Sequence, residues 1–393
     1  MKRSNEKRIW AIFIIVLITA VWILGEIRSE SGFVPYIEQA VPKADHVVKV
    51  TDDLYTAWAD KDEKNLLGHV VLGRASGYGG PLTLSVAVNP SGKITGAVIV
   101  DHKETPAWMS RVLKSNLLTS LKGKLHTDHF EIGADLDVVT GATKTSTSIA
   151  RAAAESCREA ALHLGLPVKT RKSPEIIFGF PEIVLLLLFI TGFLNYSMQN
   201  KFRRQTRWIS MLTGMFVLGF IYDRPLTLVH ISGCIMGYWP QWQTDLYWYF
   251  LLGGIFIIFI VNNRNSYCEW FCPFGAAQEC MGLIGGIKVK RPRRFHRVLK
   301  YLQRTLALAA VLLGLYFRNP GLSNYELYGA LFDLVGTLIQ FAALGIILIA
   351  AMFIRRPWCN YLCPVKPVLE FIRIIRGWVK EIWKRTDLNT KHS

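Results

Sequence analysis

The sequence predicts an α-helical membrane protein: six transmembrane helices, with an extracytoplasmic α+β domain inserted between the first and the second. Three observations carry that prediction. The 393-residue chain is 51% hydrophobic and still has a formal charge of +17. Its apolar residues collect in runs close to the roughly 20 residues that cross a bilayer. Its Lys and Arg collect between those runs, in every second gap, as cytoplasmic loops do. General disorder is excluded by 12 Trp, 14 Tyr and 21 Phe, which a disordered basic chain lacks. A soluble nucleic-acid binder explains the charge but not the apolar runs.

The runs lie at 9–25, 176–197, 208–222, 246–261, 301–317 and 330–354, the third being the shortest. The first follows Lys2, Arg3, Lys7 and Arg8, as in a signal peptide. It exceeds an h-region of roughly 7–15 residues and no small-x-small site follows it closely, so 1–25 reads as an uncleaved anchor. Residues 26–175 hold 18 basic and 18 acidic side chains. Four basic residues lie in 1–8, four in 201–207, eight in 264–300 and nine from Arg355 onward. By contrast, 223–245 holds only Arg224 and 319–329 holds none. This alternation places both termini in the cytoplasm and a domain at 45–170 outside. Trp239, Trp242, Tyr247, Trp248 and Tyr249 fit the outer aromatic belt. The membrane domain then covers 176–376, and 377–393 forms a cytoplasmic tail.

The outer domain is long enough to bury a core of its own. Residues 82–88 and 93–100 are β-rich runs joined by Asn89-Pro90-Ser91-Gly92, a hairpin signal. Residues 111–122 read as a short helix. Residues 146–164 read as a long one, closed by Gly165 and Pro167. Ahead of it stands Asp137-Val138-Val139-Thr140-Gly141-Ala142-Thr143. Thr and Ser there read as a helix cap. They also read as a phosphate site, because a helix N-terminus offers free N–H groups and Gly141 and Ala142 leave room for a bulky group.

Of seven Cys, only Cys157 lies in the outer domain, so no internal disulfide framework holds it. Pairing of Cys157 with Cys234 has no support, and buried thiols are the expected state. Cys268-Glu269-Trp270-Phe271-Cys272-Pro273 and Cys359-Asn360-Tyr361-Leu362-Cys363-Pro364 both read C-x-x-x-C-P, each after two spans and 91 residues apart. Arg264 and Arg355, Trp270 and Tyr361, and Glu279 and Glu370 fall in the same register, whereas Cys280 has no counterpart. A tandem repeat of this kind places a site at its mutual interface. Cysteines at i and i+4 share a helix face, so Cys268, Cys272, Cys359 and Cys363 form a candidate four-thiolate set. An iron–sulfur cluster, a redox dithiol and zinc are the three readings of that set. Glu182, Arg304 and Asp333 are charges inside the spans, each near a span end. The spans lack a His pair suited to haem, His230 and His296 lying outside them.

D-x-x-T-G-A-T is similar to the flavinylation signature of FMN-binding domains found in sodium-pumping quinone reductases, Rnf complexes and NosR-type proteins. The resemblance implies FMN linked through a phosphoester to Thr143 by a flavin transferase, with Asp137, Thr140, Gly141 and Ala142 around the link. His102-Lys103-Glu104-Thr105-Pro106 resembles the H-x-E-T-P element of the same domains, which implies His102, Glu104 and Thr105 beside the isoalloxazine ring. Ala107 departs from the Gly common there. Gly77-Tyr78-Gly79-Gly80-Pro81 fits the same layout.

With the paired C-x-x-x-C-P motifs, the chain from about residue 9 to 376 resembles the NosR/NirI family of membrane flavoproteins. Larger members continue into a ferredoxin-like domain. This sequence ends 30 residues after Cys363 and looks most like the short PceC/RdhC type encoded with reductive dehalogenases. The resemblance implies electron transfer in the cytoplasmic (inner) membrane between the (mena)quinol pool and an extracytoplasmic reductase, a quinol:acceptor oxidoreductase activity. It implies covalent FMN and a cluster or other thiolate-bound metal as cofactors. The flavin transferase, reductase, quinone pool and membrane lipid are the partners it implies, and nucleic acid is not among them. Asp223-Arg224-Pro225 reads as the edge of a quinol pocket or as plain loop. A redox-sensing regulator and a maturation factor for a metalloenzyme are the alternative readings. A hydrocarbon core about 30 Å thick is too wide for one electron hop, so something must bridge it.

Overall fold

In the computed structural model the described residues are 2–28, 34–77, 79–104, 106–137, 139, 143–168, 176–194, 200–285 and 295–390. Five strands form one antiparallel meander, β1 (His46–Lys49), β2 (Leu54–Trp58), β3 (Leu66–Ser76), β4 (Pro81–Val88) and β5 (Ile94–His102). The expected hairpin joins β4 to β5. Its turn is set by Asn89, whose Oδ1 accepts from the Ser91 and Lys93 N–H groups at 3.1 and 2.9 Å, and by Gly92 at φ +79°.

Each face of the sheet is covered by a helix. On one, Thr143–His163 lays Ala152, Ala153, Cys157 and Ala160, all fully buried, against β3 and β4. Its alanines permit close approach: a Cβ on Gly73 would collide with the Ala152 carbonyl oxygen. On the other face, Val34–Ala40 brings Ile37 and Ala40 to Val70, Leu72 and Ala87. The helix expected at 111–122 is instead two pieces, Pro106–Lys114 and Leu117–Leu121, because Ser115 caps the turn at Val112 with its hydroxyl.

Among the described residues two helices are long and apolar enough to cross a membrane, Arg8–Arg28 and His296–Tyr316; Phe180–Leu194, Leu246–Val261 and Leu338–Phe353 are shorter apolar helices. They point to a membrane protein. The first two run side by side in the same direction. Arg318 pairs with Glu26 at 2.7 Å near one end, and Arg8 with Glu381 near the other. The run expected at 208–222 is a composite: Asn200–Thr213 continues as a π-helix, Gly214–Ile221. There Gly214 meets the Phe271 backbone and Gly219 the Phe332 ring. Two of the three charges within the apolar runs are matched. Glu182 takes Arg224 at 3.2 Å and Arg304 takes Glu370 at 3.1 Å, whereas Asp333 faces a second acid, Asp223.

Candidate flavin and thiolate sites

The flavin-signature residues lie at one edge of the sheet. Thr143 is exposed and opens the Thr143–His163 helix, and Asp137 is exposed ahead of it. Thr140, Gly141, Ala142 and Thr105 lie outside the described residues. His102 ends β5, half-buried, and burial lowers its pKa from the ordinary histidine value. Glu104 is fully buried and accepts from the Gly79 N–H at 3.3 Å. A Cβ on Gly77 would strike the Glu104 carboxylate, and one on Gly79 the Lys103 carbonyl. The H-x-E-T-P element therefore braces the glycine loop. Ser148 ties the loop to the helix: its hydroxyl donates to the Ser76 carbonyl at 2.6 Å. Three separate sequence elements thus meet at one place.

This domain rests on the membrane part. Lys144 pairs with Asp245 at 3.1 Å, and Asn319 Nδ2 donates to the His102 carbonyl at 3.4 Å. A Cβ on Gly321 would come within 2.7 Å of the Glu104 carbonyl oxygen. A cavity of about 380 Å³ lies at the contact, with Gly77, Gly79 and Gly80 on one side and His230, Tyr238 and Trp248 on the other. His230 stacks on Trp248 with ring centroids 3.5 Å apart. Glycines without Cβ atoms, a flat aromatic wall and a free helix N-terminus nearby suit a flavin phosphate.

The four cysteines converge from the two repeats. Cys268 lies in a short π-helix, Tyr267–Phe271, which Cys272 caps, and Cys359 lies in Pro357–Tyr361. Cys268 lies within electrostatic reach of Cys272, Cys363 and Cys359. Gln278 locks the repeats: its Nε2 donates to the Cys359 Sγ at 3.1 Å and its Oε1 accepts from the Trp358 N–H at 2.9 Å. Gln303 Nε2 donates to the carbonyls of Cys359 and Cys363 at 3.3 and 2.9 Å. Glu279 gathers Arg207 at 2.6 Å and Arg356 at 2.7 Å, while its register partner Glu370 gathers Lys300 and Arg304. Among the described residues no three His, Cys, Asp or Glu side chains are drawn together as a single-ion site. A zinc ion with Zn–S near 2.3 Å would require that. Four thiols within electrostatic reach, one already holding a donor on sulfur, suit a larger thiolate-bound cluster. Cys157 and Cys234 are both free, and burial pushes the Cys157 thiol up to about 12.

Residues 77–157 match a model of an FMN-binding domain, and residues 244–292 and 335–385 each match a 4Fe-4S binding domain. NirI of Paracoccus denitrificans is 24% identical over 203 residues, 47% of this chain and 30% of NirI. NosR of Pseudomonas aeruginosa, named a regulatory protein, is 26% identical over 251 residues, 56% of this chain and 33% of NosR. The chain is similar to NosR/NirI-type FMN-binding proteins. Its cofactors are FMN and an iron–sulfur cluster. One component of the proton-translocating ferredoxin:NAD(+) oxidoreductase complex of Clostridium ljungdahlii is 31% identical over 113 residues, 27% of this chain and 60% of that component. The chain thus spans about a third of NirI and NosR. Each 4Fe-4S match contains one C-x-x-x-C-P motif, so neither segment alone supplies four thiols. Sequence reasoning missed Gln278, Gln303, Lys144 and Asp245. The last two carry no motif, but Gln278 directly precedes Glu279, whose register with Glu370 marked the neighbourhood.

Proposed function

We propose that this chain is a membrane electron-transfer flavoprotein that passes electrons from the (mena)quinol pool, through FMN esterified to Thr143, to an extracytoplasmic reductase. One observation supports this most. The Lys144–Asp245 pair stands at the start of the Leu246–Asn262 helix, and Cys268 follows its end. That helix has 17 residues, about 25 Å at 1.5 Å per residue. A flavin site and a thiolate site separated by one apolar helix make a route from one side of a membrane to the other.

FMN and the cluster supply the electron-carrying chemistry when bound. The chain's own residues hold and orient. Thr143 offers its hydroxyl at the open end of a helix, whose N–H groups favour phosphate. Glu104 keeps the glycine loop closed over the ring side, and Asn319 and Asp245 keep the domain seated on the membrane part. Cys268, Cys272, Cys359 and Cys363 hold the cluster, with Gln278 donating to one sulfur.

In this reading the protein has six spans in a PceC/RdhC-type layout, with both termini and the thiols in the cytoplasm and residues 45–170 outside; the basic loops support that orientation. A regulatory reading draws on the name of NosR: there the flavin reports redox state and the thiols relay it. The two readings part in one experiment. Anaerobic protein loaded with flavin and iron is mixed with a naphthoquinol and then with a candidate reductase. Electron transfer predicts that the flavin is reduced and then reoxidised with reductase turnover. Flavin that quinol leaves oxidised overturns the proposal.

A further inference from the structure

A second cavity, partly open to its surroundings, is lined by residues of both the flavin domain and the membrane part. Trp108, two residues beyond the H-x-E-T-P element, and Tyr328 both line it. Tyr328 is buried, and its hydroxyl lies 3.8 Å from the Cys363 Sγ. The lining is therefore one residue away from Cys363 and two from the H-x-E-T-P element.

Its polar groups are built in. Glu326 lines the cavity and is only 4% exposed; its Oε1 accepts from the Leu228 N–H at 2.9 Å, while its Oε2 has no partner among the described residues. Asp223 also lines the cavity; its side chain is hydrogen-bonded to Asp333, and its Oδ1 has no partner among the described residues. Two irregular stretches form the site, Asp223–Thr227 and Asn324–Leu327. Non-helical backbone at membrane depth is tolerated where it is buried or lines a cavity. Asp223 takes φ +40° there, a strained conformation for a non-glycine residue that clusters at ligand sites. Val335 and Gln340 close the rim, and beside them Leu334, Leu338 and Ile339 are 72%, 86% and 80% exposed. An apolar approach leading to two unpaired carboxyl oxygens between aromatic walls selects a lipid-soluble, flat aromatic ligand with two hydroxyl groups.

We infer that this cavity seats the headgroup of a membrane quinol, with its two hydroxyls directed to Glu326 and Asp223 and its ring between Trp108 and Tyr328. The inference rests on the electron-transfer reading and gives it an address. In the step, the dihydroxy aromatic becomes the dione. Two O–H bonds break, the protons pass to the Glu326 and Asp223 carboxylates, and the two electrons go to the flavin on the Trp108 side, which is the oxidant. The site also shortens the route that a bilayer about 30 Å thick would otherwise impose.

The test is photolabelling of the full-length, flavin- and iron-loaded protein with an azide-bearing naphthoquinone, mapped by mass spectrometry. Labels are expected in 223–229, in 324–335 and around Trp108, displaced by unlabelled naphthoquinone. Glu326→Gln keeps an oxygen for the Leu228 N–H and loses the free acceptor, so it should weaken naphthoquinol binding about tenfold with flavin and iron content unchanged. Labels elsewhere, or wild-type affinity in Glu326→Gln, overturn the site. So does labelling that appears only in a flavin-free Thr143→Ala protein, since the cavity would then be the place of the flavin ring. If quinol still reduces the flavin in those cases, the electron-transfer reading stands without this site. If quinol neither binds nor reduces it, both fall.

Discussion

Gln278 and Cys359 join the two repeats of the membrane part through one hydrogen bond, from the amide Nε2 to the Sγ at 3.1 Å. The same amide accepts from the Trp358 N–H with its oxygen, so one side chain both positions the second motif and donates to the sulfur proposed as a ligand. Donors to sulfur raise the potential of a thiolate-held cluster.

Gln278→Leu removes that donor and strands the buried Trp358 N–H, which costs about 1–3 kcal/mol. The expected outcome is a cluster potential shifted downward in an anaerobic redox titration, with lower iron retention. A potential equal to wild type contradicts the assigned role.

Thr143→Ala should abolish flavin fluorescence in a denaturing gel of protein made together with its flavin transferase. The substituted position is exposed, so folding should be intact and thermal unfolding close to wild type. A band that stays fluorescent places the link on another residue.

Gly79→Ala drives a Cβ into the Lys103 carbonyl, a backbone neighbour that cannot step aside cheaply. We expect a loss of about 1–3 kcal/mol from overpacking and reduced flavin loading, read by unfolding and by flavin absorbance. Unchanged loading would show that the loop does not face the ring.

Burial lowers the pKa of both His69 and His102 from the ordinary histidine value, with His163 adding to the effect at His69. Each ring takes up a proton more readily unfolded than folded. The stability they sustain is complete above the unfolded value of about 6.5 and declines as pH falls below it toward the folded values. Unfolding temperature of the flavin domain should therefore drop on acidification from about pH 7, and His102→Gln should flatten part of that dependence. A domain whose stability rises on acidification over this window contradicts the account.

Much of this was legible in the chain because it depends on local pattern. The β4–β5 hairpin announced itself through Asn89 and Gly92, whose turn chemistry is local. The long helix after Thr143 followed from its run of alanines and its stop at Gly165. The thiol convergence followed from the 91-residue register of the two C-x-x-x-C-P motifs. What escaped was non-local. Glu326 looks like an ordinary loop acid in sequence, and only the return of residues 320–333 into the interior buries it against Leu228. Tyr328 carries no motif, and only the fold brings its hydroxyl beside Cys363. The seating of the flavin domain depends on Lys144–Asp245 and Asn319–His102, pairs 101 and 217 residues apart, which periodicity cannot expose.

The central claim is that one chain connects a flavin and a thiolate-held cluster to a common donor. Its most direct measurement is rapid mixing of the anaerobic, flavin- and iron-loaded protein with a naphthoquinol, following flavin absorbance and the paramagnetic signal of the cluster on the same samples. The account predicts that both centres fill with electrons from the quinol. A flavin that stays oxidised while the quinol is unconsumed contradicts it.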